Sequence, residues 1–193
     1  MPTLVAPAIP SGALASTGQP VLPVGADALL RPWLLADASA VREAFRDPAI
    51  QRWHVRRADS VAEAQGWIEA WQSEWPSETG AHWALVDPAD ETLLGRVALK
   101  SFALHDGTAE LAYWTVPSAR GRGLCTRAAT VVTQWALYER GFHRIDLGHA
   151  TANHASCRVA EKAGFEAEGI RRRAWLHADG WHDVHVHARV RQD

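Results

Sequence analysis

Apolar residues recur along this chain with two different periods, and the points where the period changes mark out its elements. Leu29 to Leu35 reads as a strand. Asp37 then stands where it would cap a short helix with Val41, Ala44 and Phe45 on one side, ended before Pro48. Ser60 and Glu63 have capping-box spacing, Trp67, Ile68, Trp71 and Trp75 follow every three to four residues, and Pro76 closes a second helix. Ala81 to Asp87 and Leu93 to Ala103 predict a hairpin around Asp87-Pro88-Ala89-Asp90. After His105-Asp106-Gly107-Thr108 comes a strand from Ala109 to Val116. A helix follows, with Leu124, Ala128, Val131, Val132 and Trp135 on one face, running to about Arg140 and stopped at Gly141. His143 to His149 reads as a strand and Asn153 to Ala163 as a helix closed by Gly164. Glu166 to Leu176 and Asp183 to Val190 pair around Ala178-Asp179-Gly180. This order predicts an α/β (α+β) fold: a mixed central sheet of about seven strands with helices on both faces.

Composition narrows the function classes. The chain has 193 residues, enough for one domain, here taken as 26–193, with no internal linker. Residues 1–25 are rich in Pro, Ala and Gly and read as an extension that is loose, or ordered only by docking on the body. With 20 basic and 22 acidic residues, no global basic field points to nucleic acid. The first residues lack the charged start of a secretory signal, and no run approaches the ~20 apolar residues of a membrane span. Two cysteines, Cys125 and Cys157, cannot form a disulfide framework, which fits a reducing cytoplasm. Ten tryptophans are the compositional oddity. Core packing is their default role, and lining a cleft is the other.

The segment from Trp114 to Thr126 takes an apolar strand through Arg120-Gly121-Arg122-Gly123 into the start of a helix. Free N–H groups and a positive partial charge at a helix start suit an anion, and small residues let a phosphate come close. The nucleotide P-loop is excluded because no Lys follows the glycines. The dinucleotide fingerprint is excluded because Thr126 stands at its third glycine. A flexible basic loop remains the alternative for this segment taken alone.

Arg120-Gly121-Arg122-Gly123-Leu124-Cys125 resembles the Gln/Arg-x-x-Gly-x-Gly/Ala signature of the GNAT acyltransferase superfamily, with Cys125 where Gly or Ala is usual. Glu110-Leu111-Ala112-Tyr113-Trp114, Asn153-His154-Ala155-Ser156 and Lys162 to Gly169 resemble further segments of its ribosomal-protein and small-molecule N-acetyltransferase (RimJ/RimL-like) branch. The match runs roughly from residue 27 to 190. The resemblance implies a fold in which two central parallel strands splay into a V that admits the pantetheine arm of acetyl-CoA. It implies cofactor contacts from Trp114, Thr115, Val116, Arg120, Gly121, Arg122, Gly123, Cys125, Thr126 and Asn153, with backbone N–H groups around 114–116 holding the oxyanion. Ser156 would donate the proton to the departing thiolate.

Acetyl transfer to an amine requires an uncharged nucleophile, a stabilised oxyanion and a proton for the thiolate. Glu110 matches an acidic residue frequent at this strand of the family and would take the amine proton, directly or through water. Ribosomal-protein acetylators of this branch can carry a glutamate on the strand after the Gly-Phe motif, and Trp175 aligns with it here. Trp175, with Trp53 or Trp83 opposite, could instead form an aromatic wall for a flat or peptide-like acceptor. Structural alternatives stand beside these roles: Asn153 as an ordinary N-cap, Ser156 as an N3 residue, Glu110 as a surface strand residue and Trp175 as packing.

The histidines of the tail, His177, His182, His185 and His187, have no cysteine near them in sequence and read as an amphipathic strand rather than a metal site, so no metal is expected. Arg171-Arg172-Arg173 reads as a solvated charge run. The expected function is direct, acetyl-CoA-dependent N-acetylation of a primary amine, on a small molecule or a protein N-terminus, by a monomer or homodimer with no nucleic-acid or membrane partner. The alternative is a non-catalytic acyl-CoA-binding sensor or scaffold.

Overall fold

The computed structural model describes residues 4–192. In chain order its elements are β1 (Leu22–Pro23), β2 (Leu29–Pro32), a 3-10 turn (Leu35–Asp37), α1 (Ala38–Ala44), α2 (Pro48–Gln51), α3 (Val61–Glu74), β3 (Ala81–Val86), β4 (Leu93–Ala103), β5 (Thr108–Thr115), a 3-10 turn (Pro117–Ala119) and α4 (Leu124–Gln134). A π-helical turn (Trp135–Glu139) extends α4 and is followed by β6 (Arg144–Ala150), α5 (His154–Lys162), β7 (Glu166–His177) and β8 (Gly180–Val190). The strands form one sheet of eight in the order β1-β2-β3-β4-β5-β6-β8-β7. All described pairs are antiparallel except β5 with β6. The strand beyond the expected seven is β1, two residues long and contributed by the N-terminal stretch.

The alternation of side chains across the strands divides the interior into two cores. On one face Ala84, Val86 and Trp114 pack with Trp33, Val41, Phe45 and Ile68 under α1 and α3. On the other, Trp83, Leu99, Leu111, Ile145 and Leu147 pack with Ala128, Val132, Trp135 and Ala160 under α4 and α5. Most tryptophans serve these cores: the Trp33 and Trp71 rings lie 5.0 Å apart, and Trp83 meets Trp135 edge-on at 5.4 Å.

Local chemistry explains where the helices begin. The Ser60 hydroxyl accepts from the Glu63 N–H at 3.1 Å while the Glu63 carboxylate accepts from the Ser60 N–H at 3.2 Å, the reciprocal pair that the spacing predicts. Asp37 precedes α1 without capping it. Its carboxylate turns back to Arg31 and to the Leu34 N–H at 2.9 Å, because a buried guanidinium is the stronger partner. Pro48, expected only as a stop, opens α2, with the Asp47 carboxylate accepting from Ala49 N–H at 3.0 Å.

The stretch from Ala8 to Val24 lies against the body. The Ala8 and Ile9 amides donate to His105 and Leu104 carbonyls at 3.0 and 3.1 Å, and Ile9 and Leu14 are buried in the α4-side core. The indole N–H groups of Trp75 and Trp83 donate to Thr17 and Pro20 carbonyls at 2.9 and 2.8 Å. Two buried donors on the body therefore take their partners from this stretch. Residues 1–3 of the expected extension lie outside the described residues. Among the described residues, no helix is long and apolar enough to cross a membrane.

One carboxylate closes the attachment. Glu78 accepts from the Gly12, Leu14 and Ala15 amides at 2.6, 2.7 and 3.1 Å, and these bonds hold its pKa below the ordinary 4.5. A carboxyl group whose pKa is lower folded than unfolded contributes fully above the unfolded value and loses the contribution as pH falls through the folded one. Amide exchange at Gly12 and Leu14 is therefore expected to accelerate below about pH 4.5 relative to the central strands, and Glu78→Ala should produce the same loss of protection at pH 7.

Candidate active site

The parallel pairing of β5 with β6 lasts three residues, Thr108 to Glu110 against Arg144 to Asp146. Beyond it β5 stays with β4 as far as Thr115, while β6 follows β8 to Ala150, so the two strands diverge. A cavity of about 670 Å³ opens at the divergence. Tyr113 and Ala112 line it from β5, Gly148 and His149 from β6, and Asn153 and Ser156 from the start of α5. Its outer wall carries Trp53 and His54, which follow α2, and Trp175, His177 and Trp181 of the last hairpin.

The splay leaves an unpaired backbone edge. Val116 N–H donates to the Leu94 carbonyl at 3.0 Å, so by the two-residue period the amides of Trp114 and Val116 face β4 and those of Tyr113 and Thr115 face the opening. Of the expected trio, Thr115 alone presents an N–H to the opening, and Tyr113 supplies the other. The Trp114 side chain is buried in the α1 and α3 core, 5.7 Å from Phe45.

Asn153 and Ser156 occupy the N-cap and N3 positions of α5 and both line the cavity. Asn153 caps α5, its side-chain oxygen accepting from the Ser156 N–H at 3.2 Å, and this leaves the Ser156 hydroxyl free for other work. That hydroxyl lies 2.8 Å from the phenolic oxygen of Tyr113. Burial pushes the Tyr113 pKa well above its ordinary value, so the phenol keeps its proton. The result is a hydroxyl pair at the edge of the splay. Tyr113 carried no role in the sequence reading, although its alternation with Leu111 marks it as facing away from Trp114.

Glu110, the last residue of β5 paired with β6, lines the cavity and is ion-paired with Lys100 at 3.3 Å. His54 is a second possible proton acceptor. Its Nδ1–H donates to the Ile50 carbonyl at 2.7 Å, which leaves Nε2 with a lone pair, and burial lowers its pKa so that the ring is neutral. Arg96 is a further lining residue that the sequence did not reveal. It is buried, stacked on Trp71 at 4.6 Å, donates to His82 Nδ1 at 2.6 Å, and is pushed down to about 10 by burial, so it remains a cation. His82 in turn donates to Glu74 at 2.7 Å and, mainly through burial, is lowered to about 4.

Trp53 and Trp175 line the cavity as expected, Trp175 lying so close over β6 that a Cβ on Gly148 would come within 3.0 Å of its ring. Trp83 does not. It is fully buried on the α4 side, where Trp135 and the N-terminal stretch cover it two strands away from the cavity.

The glycine turn lies at the front of α4. Gly123 is its N-cap, with φ +70° and no side-chain cap, and Gly121 has φ +76°, so the first amides of α4 receive no side-chain partner. The arginines of the turn are already paired: Arg120 with Asp47, and Arg122 and Arg127 with Asp27. Here they brace the loop against the N-cap of α2 and the stretch before β2. Cys125 and Thr126 stand in the first turn of the helix. Burial pushes the Cys125 thiol up to about 12, which makes it a poor nucleophile.

The family model described as an acetyltransferase (GNAT) domain matches residues 27–166. The probable N-acetyltransferase YjcK of Bacillus subtilis (strain 168) is 31% identical over 149 residues, 74% of this chain and 81% of that protein. Among solved structures, RimL, a ribosomal L7/L12 α-N-protein acetyltransferase in complex with coenzyme A, superposes with a TM-score of 0.83 at 17% identity, over 89% of this chain and 98% of that one. The microcin C7 self-immunity acetyltransferase MccE, in complex with acetyl-CoA and AMP, gives 0.81 at 18% identity, over 86% and 94%.

The neutral histidines around the cavity contribute to the acid sensitivity of the fold. His54, His82 and His177 all have pKa values lowered below 6.5, chiefly by burial. Between the folded and unfolded values the unfolded chain binds more protons, so stability is complete above about pH 6.5 and declines as pH falls. Urea unfolding is expected to give a smaller free energy at pH 5 than at pH 7, with a flatter dependence in His54→Gln.

Proposed function

The chain belongs to the GNAT acetyltransferase family, and from that premise we propose that it transfers acetyl directly from acetyl-CoA to a primary amine within the splay between β5 and β6. The diphosphate of the coenzyme sits on the first amides of α4, and the pantetheine arm runs along the open edge of β5 past Asn153. The thioester carbonyl receives the Tyr113 and Thr115 N–H groups, which stabilise the oxyanion as the amine attacks. Glu110 or His54 takes the amine proton.

The observation that carries this reading is the 2.8 Å contact between the Ser156 and Tyr113 hydroxyls. A thiolate leaving at the edge of the splay needs one proton. Ser156 donates it, the Tyr113 phenol, held neutral by burial, steadies the serine oxygen through the same hydrogen bond, and the proton released by the amine returns to Ser156 through water. Cys125 and Cys157, both with raised pKa values, give no support to a covalent acyl-enzyme.

The acceptor is a compact primary amine with a flat or apolar portion that fits between Trp53 and Trp175, the charged amine lying toward Glu110. The acceptor of RimL, a protein α-amino group, is one such amine, and a small molecule is another. A panel of both, read by free-thiol release, distinguishes them.

Ser156→Ala is expected to lower kcat about 100-fold or more while leaving coenzyme affinity nearly unchanged, because the cap bond of α5 uses the backbone N–H of residue 156 rather than its hydroxyl. Tyr113→Phe should lower it less. Wild-type turnover in Ser156→Ala would remove the serine from the reaction. Gly123→Val places a β-branched side chain at φ +70° beside the phosphate position, and calorimetry with acetyl-CoA is expected to show no binding. Unchanged affinity there would remove the diphosphate from the front of α4.

A further inference from the structure

Behind the active-site wall the sheet presents three imidazoles to α5. His149 on β6 pairs in register with His185 on β8, and Leu147 pairs with His187, so the three side chains share the face that carries Leu147 into the α4 and α5 core. Cys157, one residue after Ser156 on α5, comes down onto them. One ligating atom from each of His149, Cys157, His185 and His187 lies within 4.8 Å of all the others. The sequence groups His185 and His187 with His177 and His182 and leaves them without a cysteine. The fold regroups them: His182 pairs with Asp179 at 2.7 Å beside Trp53, while Cys157 and His149 arrive from other elements.

The cluster is under-satisfied as it stands. His149 Nδ1–H donates to the Ala150 carbonyl at 2.9 Å, so its Nε2 is an acceptor, and His187 Nε2–H donates to it at 3.1 Å, a proton that a bound cation would replace. The Nδ1 atoms of His185 and His187 are buried without a hydrogen-bond partner. The nearest carboxylate contact is Glu161, which accepts from the Cys157 thiol at 3.5 Å. Buried polar atoms without partners are rare, and two of those found among the described residues belong to this cluster.

We propose that His149, Cys157, His185 and His187 form a four-coordinate site for a zinc-class divalent cation that pins α5 to the sheet. Two imidazole nitrogens bound to a tetrahedral zinc at about 2.0–2.1 Å stand about 3.3 Å apart, near the spacing that His149 and His187 already have. The longer separations close by about 1 Å through side-chain rotation to reach zinc–sulfur and zinc–nitrogen distances. Three imidazoles and one thiolate suit zinc and exclude calcium and magnesium, which take oxygen ligands. On binding, the Cys157 S–H proton leaves by way of Glu161 to solvent and sulfur becomes the thiolate ligand. The His149 Nδ1–H bond to Ala150 is the outer contact that orients a metal-bound imidazole.

Four protein ligands leave no open position, so the ion is structural. Its effect on catalysis is positional: Cys157 adjoins Ser156, and fixing one fixes the other against Tyr113. That consequence rests on the proposed role of Ser156, whereas the site itself does not.

The full-length protein, stripped with a chelator, is titrated with Zn²⁺ and separately with Co²⁺. One ion per chain is expected, with a tetrahedral cobalt spectrum, a thiolate-to-cobalt charge-transfer band and a rise in Tm. Cys157→Ala should abolish the charge-transfer band, and His185→Gln should weaken binding roughly tenfold or more. Both positions are only partly buried, and circular dichroism checks their folds. If His185→Gln misfolds, the Cys157→Ala spectrum alone decides. No binding, an octahedral cobalt spectrum, or a charge-transfer band that survives Cys157→Ala overturns the site. A metal-bound protein whose Ser156→Ala variant turns over normally would keep the site and overturn the role of Ser156.

Discussion

The structure depends on a pairing that stops. After Glu110 and Asp146 the two central parallel strands share no further bonds, and the backbone of β5 faces a gap instead of a neighbour. An unpaired edge in the middle of a sheet is costly unless water, a side chain or a ligand supplies its partners. In the proposed complex the amides of the coenzyme's arm supply them. The gap also decides which residues meet, because Tyr113 from β5 can reach Ser156 on α5 only where β6 has moved aside.

Packing on both faces holds the gap open. Each diverging strand remains paired on its other side, β5 to β4 and β6 to β8, and each carries large residues into a core. Trp114 is locked among Trp33 and Phe45 on one side of the sheet, and Leu147 is locked under α5 on the other. Closing the splay would require lifting both out of apolar surroundings, and burying such a side chain is worth about 1.5–3 kcal/mol. The N-terminal stretch adds to this by satisfying the buried indoles of Trp75 and Trp83, so a segment of low-complexity appearance is part of the body.

Charge around the site is used to position. Arg120 and Arg122 look in sequence like free cations waiting for phosphate, yet Asp47 and Asp27, distant in the chain, hold them. What remains free at the front of α4 is a set of backbone N–H donors, whose position is set by the helix. In the same way a hydrogen-bonded chain from the half-exposed Glu74 through His82 to Arg96, beside Trp71, keeps a full cation in the cavity wall by partnering it on one side only.

Much of this was legible in the chain. The capping box at Ser60, the hydrophobic face of α4, the glycines before it and the strand–helix order are local patterns, each written within a few residues, and local physics enforces them. The resemblance carried by the motifs located the splay, Asn153, Ser156 and Glu110. What only the tertiary structure decided depends on residues far apart in sequence: that Trp83 faces the interior while Trp53 and Trp175 face the cavity, that Asp37 turns from its helix to Arg31, and that Tyr113 stands against Ser156. The same holds for the three histidines and Cys157, which come from two strands and a helix. Periodicity states which side of an element a residue occupies, but which other element covers that side is set by the register of the sheet and the packing of helices upon it.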